Sequence, residues 1–260
     1  MEQQYGICRV AVSPIRADQS DKAEIMSQLL FGDHVEIIEK TDKWWKIRNA
    51  YDAYEGWLEP KQIALLTAEQ YAKCSEKCFL APAQAINEII AADGSKYYIP
   101  AGSNLPLYSN GYCYLGDERF EVGFIPKQPT LAPEIDKVVD TAMFFKNAPY
   151  LWGGKTLFGK DCSGLSQVVF KLNGIKILRD ARQQGEQGTT VDFLPEAKAG
   201  DLAFFDNDEG RIIHVGIMLN ASEIIHASRR VRIDPIDNQG IYNTELGRYT
   251  HKLRIIKRFG

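Results

Sequence analysis

The stretch DCSGLSQVVFKLNG, residues 161 to 174, limits the fold of this chain more than any other segment. Leu165, Val168, Val169 and Leu172 recur at the spacing of one helix face, and Asp161 is a residue type that caps helix starts. An earlier segment, PEIDKVVDTAMFFKN, opens with Pro133, Glu134 and Asp136 and carries apolar residues at roughly helical spacing, so it predicts a second helix. Between them lies a glycine-punctuated loop, APYLWGGKTLFGK. Beyond them, GDLAFFD, HVGIMLN and EIIHASRRVRIDPI read as strands separated by turns. Helix, loop, helix and then several strands is the order of an α+β domain whose sheet lies in its second half.

The first half of the chain reads differently. HVEIIEK carries β-branched residues up to a charged turn, and WWKIR continues as its partner strand, which predicts a small antiparallel barrel. FGDHVEIIEKTDKWWKIR followed by YEGWL resembles a bacterial SH3 domain, placed at residues 1–66. Weaker strand signals around SKYYIPAG, LPLYSNGYCYL and RFEVGFIP predict a second, divergent SH3-like barrel over residues 67–127. KQPTLAP, with two prolines and no apolar periodicity, suits a linker, and the α+β domain takes residues 128–260.

A formal charge of −3 removes the broad basic field expected of a nucleic-acid binder. No run is long enough to cross a bilayer, and MEQQYGICRVAV lacks the basic and apolar regions of a signal peptide, so the cytoplasm is expected. Removal of a signal segment would instead place the protein in the periplasm or outside the cell. Five cysteines, Cys8, Cys74, Cys78, Cys113 and Cys162, are too few and too uneven for a disulfide framework, which fits a reducing compartment. Cys74 and Cys78 lack a matching ligand pair downstream, so neither a metal nor a cofactor is expected. A monomer is expected as well.

Cys162 sits in the first turn of the predicted helix. Unpaired backbone N–H groups and the positive end of the helix dipole there favour a thiolate and offer donors to an oxyanion. His214 opens HVGIMLN and His226 lies in EIIHAS. Two adjacent antiparallel strands joined by a turn near Asn220 and Ser222 would bring both to one end of a sheet. One imidazole could then take the thiol proton while the second fixes its tautomer. His34 and His251 lack such a setting and read as ordinary surface or half-buried residues.

PYLWGGKTLFGKDCSGLSQVVFKLNGI, AGDLAFFD, HVGIML and EIIHAS, in this order, resemble the NlpC/P60 cysteine peptidases. The resemblance implies a papain-like α+β fold, Cys162 as nucleophile, His214 as base and His226 as the polar residue orienting it. It also implies that Tyr150 points its hydroxyl toward the site. Nothing in these motifs departs from the active pattern.

Members of that family cut the peptide stems of bacterial cell wall, commonly between γ-D-glutamate and a diamino acid. The paired barrels and RDARQQG resemble the subgroup that requires a free N-terminal L-alanine and releases L-Ala-γ-D-Glu during murein peptide recycling. A buried ammonium needs a counter-charge, and the resemblance points to Glu24 and Tyr54, with Asp161 and Ser163 beside the nucleophile. Arg182 is a further substrate-binding candidate, and Arg179, Arg229 and Arg230 are others that could meet substrate carboxylates. The alternatives are a lytic endopeptidase acting on intact peptidoglycan, an acyltransferase or amidase using the same thiol, and a wall-binding module without chemistry.

Overall fold

The protein is described from a computed structural model, which covers residues 3–74, 76, 78–128 and 132–260. The chain divides into two compact units, Met1–Pro129 and Thr130–Gly260. The linker expected at 127–133 lies partly outside the described residues.

The first unit is built on alternating, half-buried strands. β1 (Gln4–Cys8), β2 (Val12–Arg16), β3 (Ile25–Leu30), β4 (His34–Lys40), β5 (Trp45–Asn49), β6 (Glu55–Leu58) and β7 (Ile63–Leu66) form an antiparallel sheet in the order β3-β2-β6-β5-β4-β1-β7. The helix α1 (Ala68–Cys74) leads to β8 (Phe79–Leu80), β9 (Asn87–Ala91), β10 (Lys96–Ile99), β11 (Asn104–Leu105), β12 (Tyr112–Leu115) and β13 (Glu118–Val122). These make a sheet in the order β10-β9-β13-β12 and a separate β11-β8 pair. Ile7, Phe31 and Leu66 from the first set share one apolar cluster with Ile89, Leu105 and Phe120 from the second. The backbones also meet, with Asn104 N–H donating to the Phe31 carbonyl at 2.9 Å.

In the second unit a short 3₁₀ turn, Ile135–Lys137, runs into α2 (Val138–Phe144) where the sequence predicts a helix. The loop that follows contains the β14 (Lys155–Thr156) and β15 (Gly159–Lys160) hairpin and delivers α3 (Cys162–Leu172). α4 (Ala181–Gly185) precedes β16 (Thr189–Val191), β17 (Leu202–Asp206), β18 (Ile212–Asn220), β19 (Glu223–Ser228), β20 (Arg230–Asp237), β21 (Gly240–Asn243) and β22 (Arg248–Arg258). The sheet runs β16-β22-β17-β18-β19-β20-β21, and β22 pairs with β21 as well as β17, so these strands close into a ring. α3 packs across β18 and β19 with its apolar residues Leu165, Val168 and Val169 buried. That packing sets the first turn of α3 against the strand that carries His214.

Candidate active site

The start of α3 is held from below by an ionic clamp. Asp161 is its N-cap, accepting from Gly164 N–H at 2.6 Å. Its other oxygen accepts from Gly153 N–H at 2.9 Å. Arg179 spans both carboxylate oxygens, at 3.1 and 2.7 Å, and also donates to Ser163 Oγ at 2.7 Å. Two glycines make the approach possible: a Cβ on Gly164 would lie 2.2 Å from the Gly154 carbonyl oxygen, and one on Gly154 would lie 2.4 Å from that of Gly159. Asp161 and Ser163 therefore flank Cys162, but their side chains are buried and bonded to Arg179. Arg179 is 1% exposed, so the expectation that it meets a substrate carboxylate is corrected: its partner is internal.

The helix start alone predicts a depressed thiol, and the surroundings reverse that expectation. Cys162 is 7% exposed. Burial, followed by the Asp161 carboxylate, pushes its thiol up to about 12. The Val215 N–H, the Arg179 guanidinium and the Ser163 N–H pull the other way and do not prevail. The thiol thus rests neutral against the backbone of the residue that follows His214.

Strand register brings the histidines together. Gly216 on β18 faces His226 on β19, so His214, two residues along β18, shares a face with His226. His214 Nε2 lies 2.9 Å from His226 Nδ1, and His226 Nε2 lies 3.0 Å from Asp234 Oδ2 on β20. His226 and Asp234 are both fully buried. Asp234 is in turn gripped by Arg232, at 2.8 Å to Oδ1 and 2.7 Å to Oδ2.

The proton positions follow from this network. A carboxylate only accepts, so the proton sits on Nε2 of His226. Its Nδ1 must then accept, and His214 Nε2 donates to it. Nδ1 of His214 is left as a bare basic nitrogen. Burial, with the nearby His226 and His251, holds His214 well below its ordinary value, and burial lowers His226 despite the Asp234 carboxylate. A neutral imidazole with a bare nitrogen can take a thiol proton as the sulfur attacks, and the backbone donors at the helix start are available to a developing oxyanion.

Two members of this constellation escape a reading of the sequence. Asp234 is the acid that orders the histidine chain. His251 stacks on His214 with ring centroids 4.1 Å apart and planes 25° apart, which corrects its assignment as a residue without a functional setting. Its strand, β22, is brought back into the sheet by the Ile241–His251 pairing with β21, a closure that no local pattern announces. His34 belongs to the first unit and meets only the edge of Tyr71 among the ring contacts described.

Ring nitrogens of His214, His226 and His251 lie within 4.8 Å of one another, close enough to raise a metal site. The arrangement favours packing instead. Two nearly parallel stacked rings cannot both hold one ion in their planes, and the facing nitrogens of His214 and His226 are already hydrogen-bonded to each other.

Tyr150 is 36% exposed and donates its N–H to the Arg229 carbonyl at 3.0 Å. Burial, then the nearby Cys162, pushes its hydroxyl up to about 12, so it remains a proton donor. It shares a cavity of about 260 Å³ with His214, Ser228, Arg229 and His251. A larger cavity, about 620 Å³, is lined by Thr190, Leu194, Asn238 and Arg254 among others and contains none of the candidates. Arg182 is exposed and lies 3.8 Å from Glu186 one helical turn on. Glu24 and Tyr54 lie in the first unit, Glu24 exposed before β3 and Tyr54 half-buried before β6.

A buried cysteine at a helix start, bonded by the N–H of the residue after His214, and two mutually bonded imidazoles on an antiparallel sheet match the make-up of a papain-like thiol hydrolase. The chain belongs to the NlpC/P60 family. Residues 147–249 match that family, and residues 15–63 match the bacterial dipeptidyl-peptidase SH3 domain. It is 31% identical over 225 residues to the γ-D-glutamyl-L-lysine dipeptidyl-peptidase of Bacillus subtilis, covering 79% of this chain and 73% of that one. Its identity to the protein of the same name from Bacillus cereus is 26% over 244 residues, covering 84% and 72%. In structure it is similar to a crystallised NlpC/P60 family protein from Bacillus cereus, with a TM-score of 0.81, 20% identity, and 98% and 99% of the two chains covered. At that identity the structural likeness speaks for the fold alone.

Proposed function

We propose that this protein is a cysteine peptidase that hydrolyses the bond between γ-D-glutamate and the following diamino acid in cell-wall stem peptides, releasing L-Ala-γ-D-Glu from stems with a free N-terminal alanine. The observation that carries the proposal is the ordered chain His214, His226 and Asp234, next to Val215, whose N–H reaches Cys162; within that chain one nitrogen of His214 is left to accept a thiol proton. The relatives named for γ-D-glutamyl-L-lysine dipeptidyl-peptidase activity support the substrate class.

In this mechanism Cys162 Sγ attacks the γ-carbonyl as its proton passes to His214 Nδ1. The developing imidazolium is stabilised through His226 by Asp234, which remains ionised. His214 then gives the proton to the departing amine, leaving an acyl-thioester. Water, deprotonated by the same nitrogen, attacks the thioester and restores the thiol. Tyr150, protonated at working pH, supplies a donor beside the reacting carbonyl.

Specificity for a free alanine amine requires a carboxylate, and Glu24 is the residue proposed for it. The test is a panel of L-Ala-γ-D-Glu-L-Lys and L-Ala-γ-D-Glu-diaminopimelate peptides with free and acetylated amines. Release of L-Ala-γ-D-Glu from the free forms, with acetylation slowing it at least ten-fold, is expected. Equal rates on free and acetylated stems would remove the dipeptidyl-peptidase specificity and favour an endopeptidase.

A further inference from the structure

We infer that the cavity beside His214 receives the diamino acid that departs from the scissile bond, and that Arg229 binds a carboxylate of that residue. The inference rests on the peptidase reading above and adds to it the recognition of the leaving side.

Three observations converge on this cavity. The first is position. The imidazole that takes the thiol proton must return it to the leaving amine, so that amine comes within hydrogen-bond reach of His214. The residue attached to the amine then needs space next to His214, and the cavity of about 260 Å³ lined by Tyr150, His214, Ser228, Arg229 and His251 is adjacent to that ring.

The second is charge. Arg229 supplies the only formal charge in the lining, because burial keeps His214 and His251 neutral and no Asp or Glu contributes to it. The neighbouring arginines are already engaged: Arg230 binds Glu245 at 2.8 Å, and Arg232 binds Glu245 and Asp234. Arg229 makes no ion pair among the described residues. An exposed arginine lining an otherwise uncharged cavity is suited to a planar, bidentate anion such as a carboxylate.

The third is backbone conformation. Arg229 has φ 62°, a left-handed geometry that costs a non-glycine residue about 1 kcal/mol or more. It forms the one-residue tip between β19 and β20, where Ser228 pairs with Arg230. Its carbonyl is fixed by the Tyr150 N–H. The tip is thus tied to the loop that carries Tyr150, which holds Arg229 at the cavity instead of leaving it on a loose turn.

The carboxylate has two possible sources. Any stem ending at the diamino acid offers its α-carboxylate, and diaminopimelate offers a second at the far end of its side chain, where lysine has only an ammonium. The experiment measures kcat/KM for L-Ala-γ-D-Glu-L-Lys, its C-terminal amide, L-Ala-γ-D-Glu-meso-diaminopimelate and the α-amide of that peptide, with wild-type protein and Arg229→Gln. The wild type is expected to prefer carboxylate-bearing peptides by ten-fold or more, mainly through KM, and Arg229→Gln is expected to narrow the ratio below three-fold. Loss on α-amidation of the lysine peptide identifies the α-carboxylate. Retained preference for the diaminopimelate α-amide over the lysine amide identifies the distal one.

Alkylation of Cys162 by iodoacetamide at a similar rate in both proteins would confirm that the substituted site is intact. Slower alkylation would call for Arg229→Lys, which must restore part of the carboxylate preference. Cleavage of all four peptides with no carboxylate preference, or a preference that survives in Arg229→Gln, overturns the inference and leaves the peptidase reading standing. Failure to cleave any peptide removes both.

Discussion

Cys113 in the first unit and Cys162 in the second are both buried, and burial pushes both thiols up to about 12. What separates them is the surroundings. Cys113 lies on β12 opposite Phe120, in a cluster with Ile89 and Leu115. Cys162 has the Val215 and Ser163 N–H groups, Arg179 and the Asp161 carboxylate around it. The wider regions repeat the contrast. Arg179, Lys160, Arg232, His214 and His226 are buried in the second unit, whereas no described Lys, Arg or His is buried in the first. Burial alone therefore does not mark a reactive cysteine; buried polar groups arranged around it do, at a cost to stability that an apolar core does not incur.

Substitution of each thiol in turn separates their roles by the largest margin. Cys162→Ala is expected to lower kcat/KM on the order of 10⁴-fold or more with little change in melting temperature. Cys113→Ser should leave the rate per folded molecule unchanged and cost about 1–3 kcal/mol in urea unfolding, because a hydroxyl replaces sulfur among apolar side chains. Any reversal of these outcomes would place the chemistry elsewhere.

Asp234→Asn comes next in size. An amide can donate to His226 and invert the proton order, so kcat should fall on the order of 10²-fold or more. The pH–rate profile of any residual activity should also change shape, which a purely structural loss would not produce. Arg179→Met would leave Asp161 buried without its cation, and a loss of about 3–5 kcal/mol is expected in chemical unfolding.

Acid should discriminate between the units as well. Burial first, with His226 nearby, lowers the His251 imidazole to about 4 from an ordinary 6.5, and His214 also lies well below it. The unfolded chain takes up these protons near 6.5 while the folded chain resists them. The stability they contribute is therefore complete above 6.5 and is lost as pH falls through about 4. Melting of the second unit followed by scanning calorimetry should drop across that window.

The smallest effect is expected at Lys160. Its side-chain nitrogen is fully buried over the Phe145 ring, 3.1 Å from the ring centroid, without a hydrogen-bond partner among the described residues. Burial holds the group well below its ordinary value. Lys160→Met should leave the melting temperature unchanged or raise it slightly.

Local signals were legible in the sequence where the chemistry is local. Asp161 capping the helix, Cys162 in its first turn, and His214 and His226 on one hairpin all depend on short spacings. Asp234 and His251 were not legible as partners, because their places depend on the register of β19 with β20 and on the return of β22 to β21. The burial that raises the Cys162 thiol was not legible for a related reason. Dipole and N–H donors can be read from a capped helix, but the burial that outweighs them comes from elements distant in sequence. In the sequence Arg179 reads as one of several arginines that could meet substrate carboxylates, and its place under Asp161 emerges only when the loop and α3 pack together.

The most direct test is a graded alkylation by iodoacetamide, with hydrolysis of L-Ala-γ-D-Glu-L-Lys followed alongside peptide mapping of all five cysteines. Residual activity should fall in proportion to modification at Cys162 and reach zero when that site is fully blocked, whatever the state of Cys78. Full-speed hydrolysis by protein completely alkylated at Cys162 would contradict the account.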